Sequence, residues 1–441
     1  MTNPSFPPSG LSRRRLLGLL GGGALAAMAP LSALAAASRQ PVLVMTSYPD
    51  EVLSRIEAAF EKANPAYRLQ VVWRMPHDAL PYLRQPKQGG IDVYWSASPR
   101  NFATLKGEGA WRQLDIARSG LPAAIGKTAI ADADGYFQAT EVAGYGLAVN
   151  PRELARLGLA QPADWRDLAD PRYAGKIALP IPARVGFAPV MVEIVLQAYG
   201  WQAGWALWSE IAGNAALVDR GATFVSDEVA SGRCAVGLSI DFFVASAVAN
   251  GAPLRFVYPR HGGINPGQIA ITAAAPNPDG AKAFTAFVLS EAGQKILTHA
   301  DIRKLPARPS AYAGLPADYH NPFVAAAAGA YDFDGIVAQP RLALSAALFE
   351  QALVYRQDEL IALWRRIHAA EAAGKDVAAA RQALSTPLLS ETEAADSGLR
   401  QGFRGRVEGA EAPLSAVEEG WRRAAQAQRA AADRLLRRVG A

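Results

Sequence analysis

Two short segments set an arginine just ahead of a helix-forming run: Ala183-Arg184-Val185-Gly186 before a helix from about Phe187 to Tyr199, and Arg220-Gly221-Ala222-Thr223 before another. At such a place free backbone N–H groups, the positive helix end and a guanidinium converge, which is the chemistry that holds a phosphate or carboxylate. Ser96 and Ser98, just after the apolar run Ile91-Asp92-Val93-Tyr94-Trp95, form a third candidate, and Ser47 and Tyr48 follow an earlier apolar run. Two acids complicate an anion site: Asp241 directly follows the run ending at Ile240, and Glu141 sits in an extended stretch. An acid beside the ligand suits an ammonium or a second hydroxyl, so the ligand would be a zwitterion or a phosphorylated polyol. Phe242 and Phe243 fit either an apolar wall or ordinary core packing. Each candidate also has a plainer role, because arginines near helix ends are often solvated and small residues after strands often serve tight packing.

Catalytic chemistry finds little to stand on. There is no G-x-S-x-G elbow, no H-E-x-x-H pair and no phosphate-cradling P-loop, and His77, His261, His299, His320 and His368 are scattered without metal-ligand spacing. The reading is of a non-enzyme without cofactor or metal. The single cysteine, Cys234, excludes an intrachain disulfide and reads as a small buried apolar residue.

The first 37 residues carry an export signal: Ser12-Arg13-Arg14-Arg15-Leu16-Leu17, an apolar run to Leu34 broken by Gly21, Gly22, Gly23 and Pro30, then small residues at a cleavage point. The paired arginines resemble the twin-arginine signal, which passes folded proteins across a bacterial inner membrane. Removing this segment takes away three arginines and no acids, so the formal charge falls from +5 to +2 over the remaining 404 residues. A surface so nearly balanced offers no electrostatic case for nucleic acid. No other stretch reaches about 18 uninterrupted apolar residues, so the mature chain reads as a soluble periplasmic monomer.

Those candidates must be positioned by alternating strands and helices. Pro41 to Pro65 reads as strand, turn and helix, with Pro49 in the first helical turn and Val52, Ile56, Ala59 and Phe60 at helical spacing. Leu69, Val71 and Trp73 alternate as a second strand, and Ile91, Val93 and Trp95 lead into a third. A second α/β region follows around Lys176–Pro180 and Ala235–Ile240. This pattern predicts an α/β fold with parallel strands, whose ligands sit beyond the strands' carboxyl ends. The chain crosses between two lobes twice, near residues 138–146 and 267–272, so the ligand cleft lies between them.

The order of TSYPDE, IDVYWSASP, YGLAVNP, DWRDLADPRYAGKIALP and NPDGAKAFTAFVLSEAGQKIL over residues 41–310 resembles the type II periplasmic solute-binding proteins of ABC importers, in the ferric-binding-protein-like subgroup. That resemblance implies residues 38–138 with 268–310 as one lobe, 139–267 as the other, closure over a small solute, and an inner-membrane ABC permease as partner. Iron does not carry over: the positions of the subgroup's His, Glu and Tyr-pair ligands hold Pro49, Ala97 and Phe242-Phe243. Ferric iron needs anionic oxygen donors, which these residues lack. Iron or an iron chelate on an altered ligand set, drawing on Tyr48 and Tyr145, is the alternative. Residues 311–441 form a helical extension, similar to that of phosphoglycerate-transport regulatory proteins, which makes a periplasmic sensor role a further alternative. Leu342, Leu348, Phe349, Leu353, Leu360, Leu363, Trp364 and Ile367 read as one long amphipathic face, and Ser415 with Glu418 as a capping box.

Overall fold

A computed structural model describes residues 39–403 and 413–441; the stretch expected to be an export signal lies outside the described residues. Ten strands form one mixed sheet in the order β2-β1-β3-β11-β6-β9-β7-β8, with β10 and β12 also paired to β6. The strands are β1 (Gln40–Thr46), β2 (Tyr67–Trp73), β3 (Val93–Ser96), β6 (Phe137–Val149), β7 (Ile177–Pro180), β8 (Ala215–Val218), β9 (Val236–Ile240), β10 (Arg255–Val257), β11 (Gly263–Ile271) and β12 (Leu305–Pro306). A separate hairpin is made by β4 (Ala124–Ile125) and β5 (Thr128–Ala129).

The first parallel unit forms as its apolar spacing dictates. Val42, Val44 and Met45 are buried in β1, and Val52, Ile56 and Phe60 lie on the inner face of the helix Asp50–Ala63. Pro49 stands one place earlier than the sequence suggested, as the N-cap with extended backbone. The alternation in β2 buries only Leu69; Val71 and Trp73 are exposed because β2 is the outer edge of the sheet.

Strand register sets where a ligand can go. Ser96 at the end of β3 pairs with Gln268 of β11, which pairs with Ala139 of β6. Farther along β6, Tyr145 pairs with Ile240 at the end of β9. Since β9 runs antiparallel to β6 while β3 runs parallel to it, the carboxyl ends of β1 and β3 point toward those of β9 and β7 across residues 140–144. The two long strands spanning that gap, β6 and β11, pair over most of their length, with a register shift between Gly267 and Gln268.

The extension is not a separate body. Leu344, Leu348, Phe349, Leu363, Trp364 and Trp421 share one apolar core with Trp205, Trp208 and Ile211 of the helix Trp201–Asn214 and with the β7 and β9 side chains. Its long amphipathic face is broken: the helix Leu342–Phe349 runs into a π-helical turn at Glu350–Val354, and a new helix, Gln357–Ala372, starts after Arg356 in left-handed backbone (φ 53°). The capping box of Ser415 and Glu418 is present at the start of the helix Ala416–Arg438. A largely buried ion pair helps tie the extension down: Arg341 donates to Glu193 at 3.1 and 2.6 Å, and Ser345 donates to its other oxygen at 2.6 Å. Cys234 is buried, and burial pushes its thiol up to about 11.

Candidate functional site

The floor of the gap is built from groups that meet around Glu141. The Tyr48 hydroxyl, in the turn after β1, donates to one carboxylate oxygen and the Thr140 hydroxyl to the other. Lys304 brings its ammonium within 3.4 Å of the first oxygen, 4.5 Å from the Tyr48 ring centre and 5.0 Å from that of Phe242. Trp95 of β3 completes the arrangement by donating to Thr140 Oγ1 at 2.8 Å and meeting Tyr48 edge-on at 4.6 Å. Burial and the Glu141 charge together hold the Tyr48 hydroxyl far above its ordinary range, so it stays a donor. Only glycine fits at 267, where a Cβ would lie 2.2 Å from Glu141 Oε1 and 2.3 Å from the Tyr48 hydroxyl.

A second buried group stands at the first turn of the helix Asp241–Ala249. Asp241 accepts from the Gly144 N–H at 2.8 Å and the Tyr258 hydroxyl at 3.0 Å. Burial nevertheless pushes its carboxyl up to about 6, against those bonds and the Lys304 charge. The Tyr258 ring stacks on His320, with centres 3.5 Å apart, and His320 hydrogen-bonds the Tyr331 hydroxyl. Burial lowers His320 to about 4, so the imidazole is neutral at physiological pH. Phe242 and Phe243 lie ring to ring at 4.0 Å, with Phe187 6.2 Å beyond Phe243.

The rim on the β7–β8 side is more open. Arg184, in the turn after β7, reaches Glu350 at 3.4 Å and Asp219 at 3.8 Å. Arg220 reaches the other oxygen of Asp219 at 3.9 Å and lies over the Phe224 ring at 4.3 Å. The side chains of Arg184 and Arg220 are 47% and 68% exposed. Gly221 caps the helix Ala222–Ala230 without a side-chain bond, and Thr223 is exposed in its first turn. On the β1–β3 side Ser96 is buried while Ser47 and Ser98 are half-buried, Ser98 capping the helix Pro99–Gly107 without a side-chain bond.

Of the residues singled out from sequence, Tyr48 and Glu141 are in direct contact, and Arg184 and Arg220 share Asp219. Asp241 is linked to that floor through the field of Lys304. Among the described residues no hydrogen bond or ion pair joins Ser47, Ser96 or Ser98 to Arg184, Arg220 or Thr223, which belong to opposite sides of β6. Thr140, Lys304, Tyr258 and Asn265, which donates to Ala97 O at 3.2 Å, were not foreseen. Lys304 reaches the floor because Leu305 and Pro306 pair with Val142 and Glu141, a contact far apart in the chain.

A model of the bacterial extracellular solute-binding proteins matches residues 91–326, more than half of the chain, and the chain belongs to that family. The phosphoglycerate transport regulatory protein PgtC of Salmonella typhimurium is 32% identical over 294 residues, covering 64% of this chain and 68% of the relative. Among solved structures, the periplasmic binding protein AfuA of Actinobacillus pleuropneumoniae, with fructose-6-phosphate bound, matches with a TM-score of 0.55 at 18% identity, over 70% of this chain and 100% of AfuA. Iron-bound HitA of Pseudomonas aeruginosa matches with a TM-score of 0.53 at 17% identity, over 65% and 92%. The fold is therefore that of the two-lobe periplasmic binding proteins. Among the described residues no helix is long and apolar enough to cross a membrane.

Proposed function

We propose that this chain is the exported, periplasmic solute-binding component of an ABC importer, and that it captures a small phosphorylated, phosphonate or carboxylate solute by lobe closure. In this reading residues 38–138 with 268–310 close against 139–267, bringing Ser96 and Ser98 toward the arginine loops. The observation that carries it is the pairing of Arg184 and Arg220 around Asp219, beside a helix start capped by Gly221, where among the described residues no side chain covers the first N–H groups. Two guanidiniums held 3.8 and 3.9 Å from one carboxylate form a place an external anion can take. Asp241 then suits a hydroxyl group at the other end of the solute, Phe242 and Phe243 its carbon frame, while Glu141, with both oxygens taken by Tyr48 and Thr140, holds the floor beneath it. Fructose-6-phosphate, held by AfuA, has this chemistry, and PgtC is named for phosphoglycerate transport. Closure would draw on an existing open and closed equilibrium, stabilised by the solute's contacts with both sides.

The test is thermal unfolding of the mature chain with fructose 6-phosphate, 3-phosphoglycerate, an alkylphosphonate, citrate and ferric salts, since a solute bound only by the folded state raises the melting temperature. A rise with phosphorylated compounds that vanishes in Arg184→Ala or Arg220→Ala supports the reading. A rise with ferric salts alone, with a tyrosinate charge-transfer band, replaces it with iron uptake.

A further inference from the structure

Arg184 has a partner from outside the cleft. Its guanidinium meets Glu350, the first residue of the π-helical turn in the extension, at 3.4 Å. That grip is loose, longer than the 2.7–2.9 Å of a well-formed charged hydrogen bond. The other oxygen of Glu350, Oε2, is buried and has no hydrogen-bond partner among the described residues. Glu350 is largely buried and faces two cations, Arg184 in direct contact and Arg422 through its charge, so losing Arg184 leaves its carboxylate less well held.

The turn is in turn wired to the last helix of the chain. Gln351 accepts from Arg422 at 3.1 Å, and the Arg422 guanidinium lies 3.8 Å over the Tyr355 ring. Arg429 donates to the carbonyls of Ala352, Tyr355 and Arg356 at 2.9, 2.8 and 3.2 Å. The preceding helix, by contrast, is pinned by the buried pair of Arg341 and Glu193. A change at Glu350 therefore meets a fixed helix on one side and, on the other, a turn whose backbone carbonyls are held by the helix Ala416–Arg438. Single π-turns inside helical runs recur at functional sites.

We propose that Glu350 occupies Arg184 in the empty cleft, and that a captured anion displaces it, so that solute occupancy is passed to the turn 350–356 and the terminal helix. This rests on the anionic reading of the cleft. Glu350 is thus a positioning residue that competes with the solute, and removing its charge should strengthen binding, an effect that loss of a merely structural contact does not give.

Hydrogen–deuterium exchange of the full mature chain separates the two ideas. Without added solute, Arg184→Ala and Glu350→Gln should each raise exchange across 350–356 several-fold while leaving 342–349 as in the wild type. Saturating fructose 6-phosphate or 3-phosphoglycerate should do the same to the wild type, and Glu350→Gln should bind the active compound roughly 2- to 5-fold more tightly, the range a part-exposed ion pair allows. Asp219→Asn should strengthen binding too, without loosening 350–356. Unchanged exchange in both solute-free variants overturns the tether whatever the solute is. A wild type that binds without a change at 350–356, or a Glu350→Gln that binds no more tightly, overturns the displacement and leaves the anionic reading standing. Variants that loosen the turn in a protein that takes up no anion overturn the anionic reading, and the displacement with it.

Discussion

The floor of the cleft and its arginine rim are built on opposite principles. At the floor, Tyr48, Thr140 and Glu141 are buried to 5% exposure or less, and both oxygens of the carboxylate are occupied. At the rim, Arg184, Asp219 and Arg220 are about half exposed or more and stand 3.8 and 3.9 Å apart. Buried charge holds only when partnered, whereas exposed charge at long distance contributes little to folding and keeps its capacity for an external ion. The floor is thus committed to holding the long strands together, and the rim is left open to solvent.

The sharpest break in that contrast is Glu141→Ala. It strands the Lys304 ammonium and leaves the Tyr48 hydroxyl without its acceptor, while Thr140 keeps only the Gly267 carbonyl at 3.2 Å, so it should cost about 3 kcal/mol or more in denaturant unfolding. Gly267→Ala should follow at about 1–3 kcal/mol, because the new methyl would push into the same carboxylate.

Next comes pH. Asp241, raised to about 6, adds stability that is full below its unfolded value near 4 and lost as pH climbs through 6. His320, lowered to about 4, adds stability that is full above 6.5 and lost as pH falls through 4. The two slopes oppose one another between pH 4 and 6. Asp241→Asn should therefore leave a melting temperature that rises with pH across this window, and His320→Phe, which keeps the stack on Tyr258, one that falls; parallel profiles would show the pair does not titrate as placed.

The smallest effect on folding belongs to the rim. Arg220→Ala should shift stability by within about 0.5 kcal/mol and Arg184→Ala, which also leaves Glu350 less well held, by about 1 kcal/mol, yet each should weaken an anionic solute about tenfold or more, the worth of a hydrogen bond to a charged group. Calorimetric titration beside thermal melts checks both halves, and a large loss of stability would erase the distinction drawn here.

What sequence made legible divides along the same line. The helices that follow Arg184 and Arg220, the strand ends at Ser96 and Ile240, and the extended backbone at 141 and 267 all follow from local spacing, and the structure has helices Ala188–Tyr199 and Ala222–Ala230 and strands β6 and β11 there. Lys304 did not stand out, because a lone lysine after a helix carries no local mark; the pairing of Leu305 and Pro306 with β6 brings it in. The stack of Tyr258 on His320 joins residues 62 apart in the chain, and no periodicity announces it. The extension was readable as amphipathic helix, but its break was not, since Glu350 to Arg356 contains neither proline nor glycine; the turn is imposed by Arg422 and Arg429 from the last helix.

The buried thiol of Cys234 gives the molecule a built-in clock. A maleimide or disulfide reagent meets it only when the packing around Val225, Val229 and Val244 opens, so the labelling rate measures how often that part of the protein comes apart. With no second cysteine to blur the reading, the ratio of labelling rates with and without a candidate solute reports binding on the native sequence, with no cysteine introduced for the purpose.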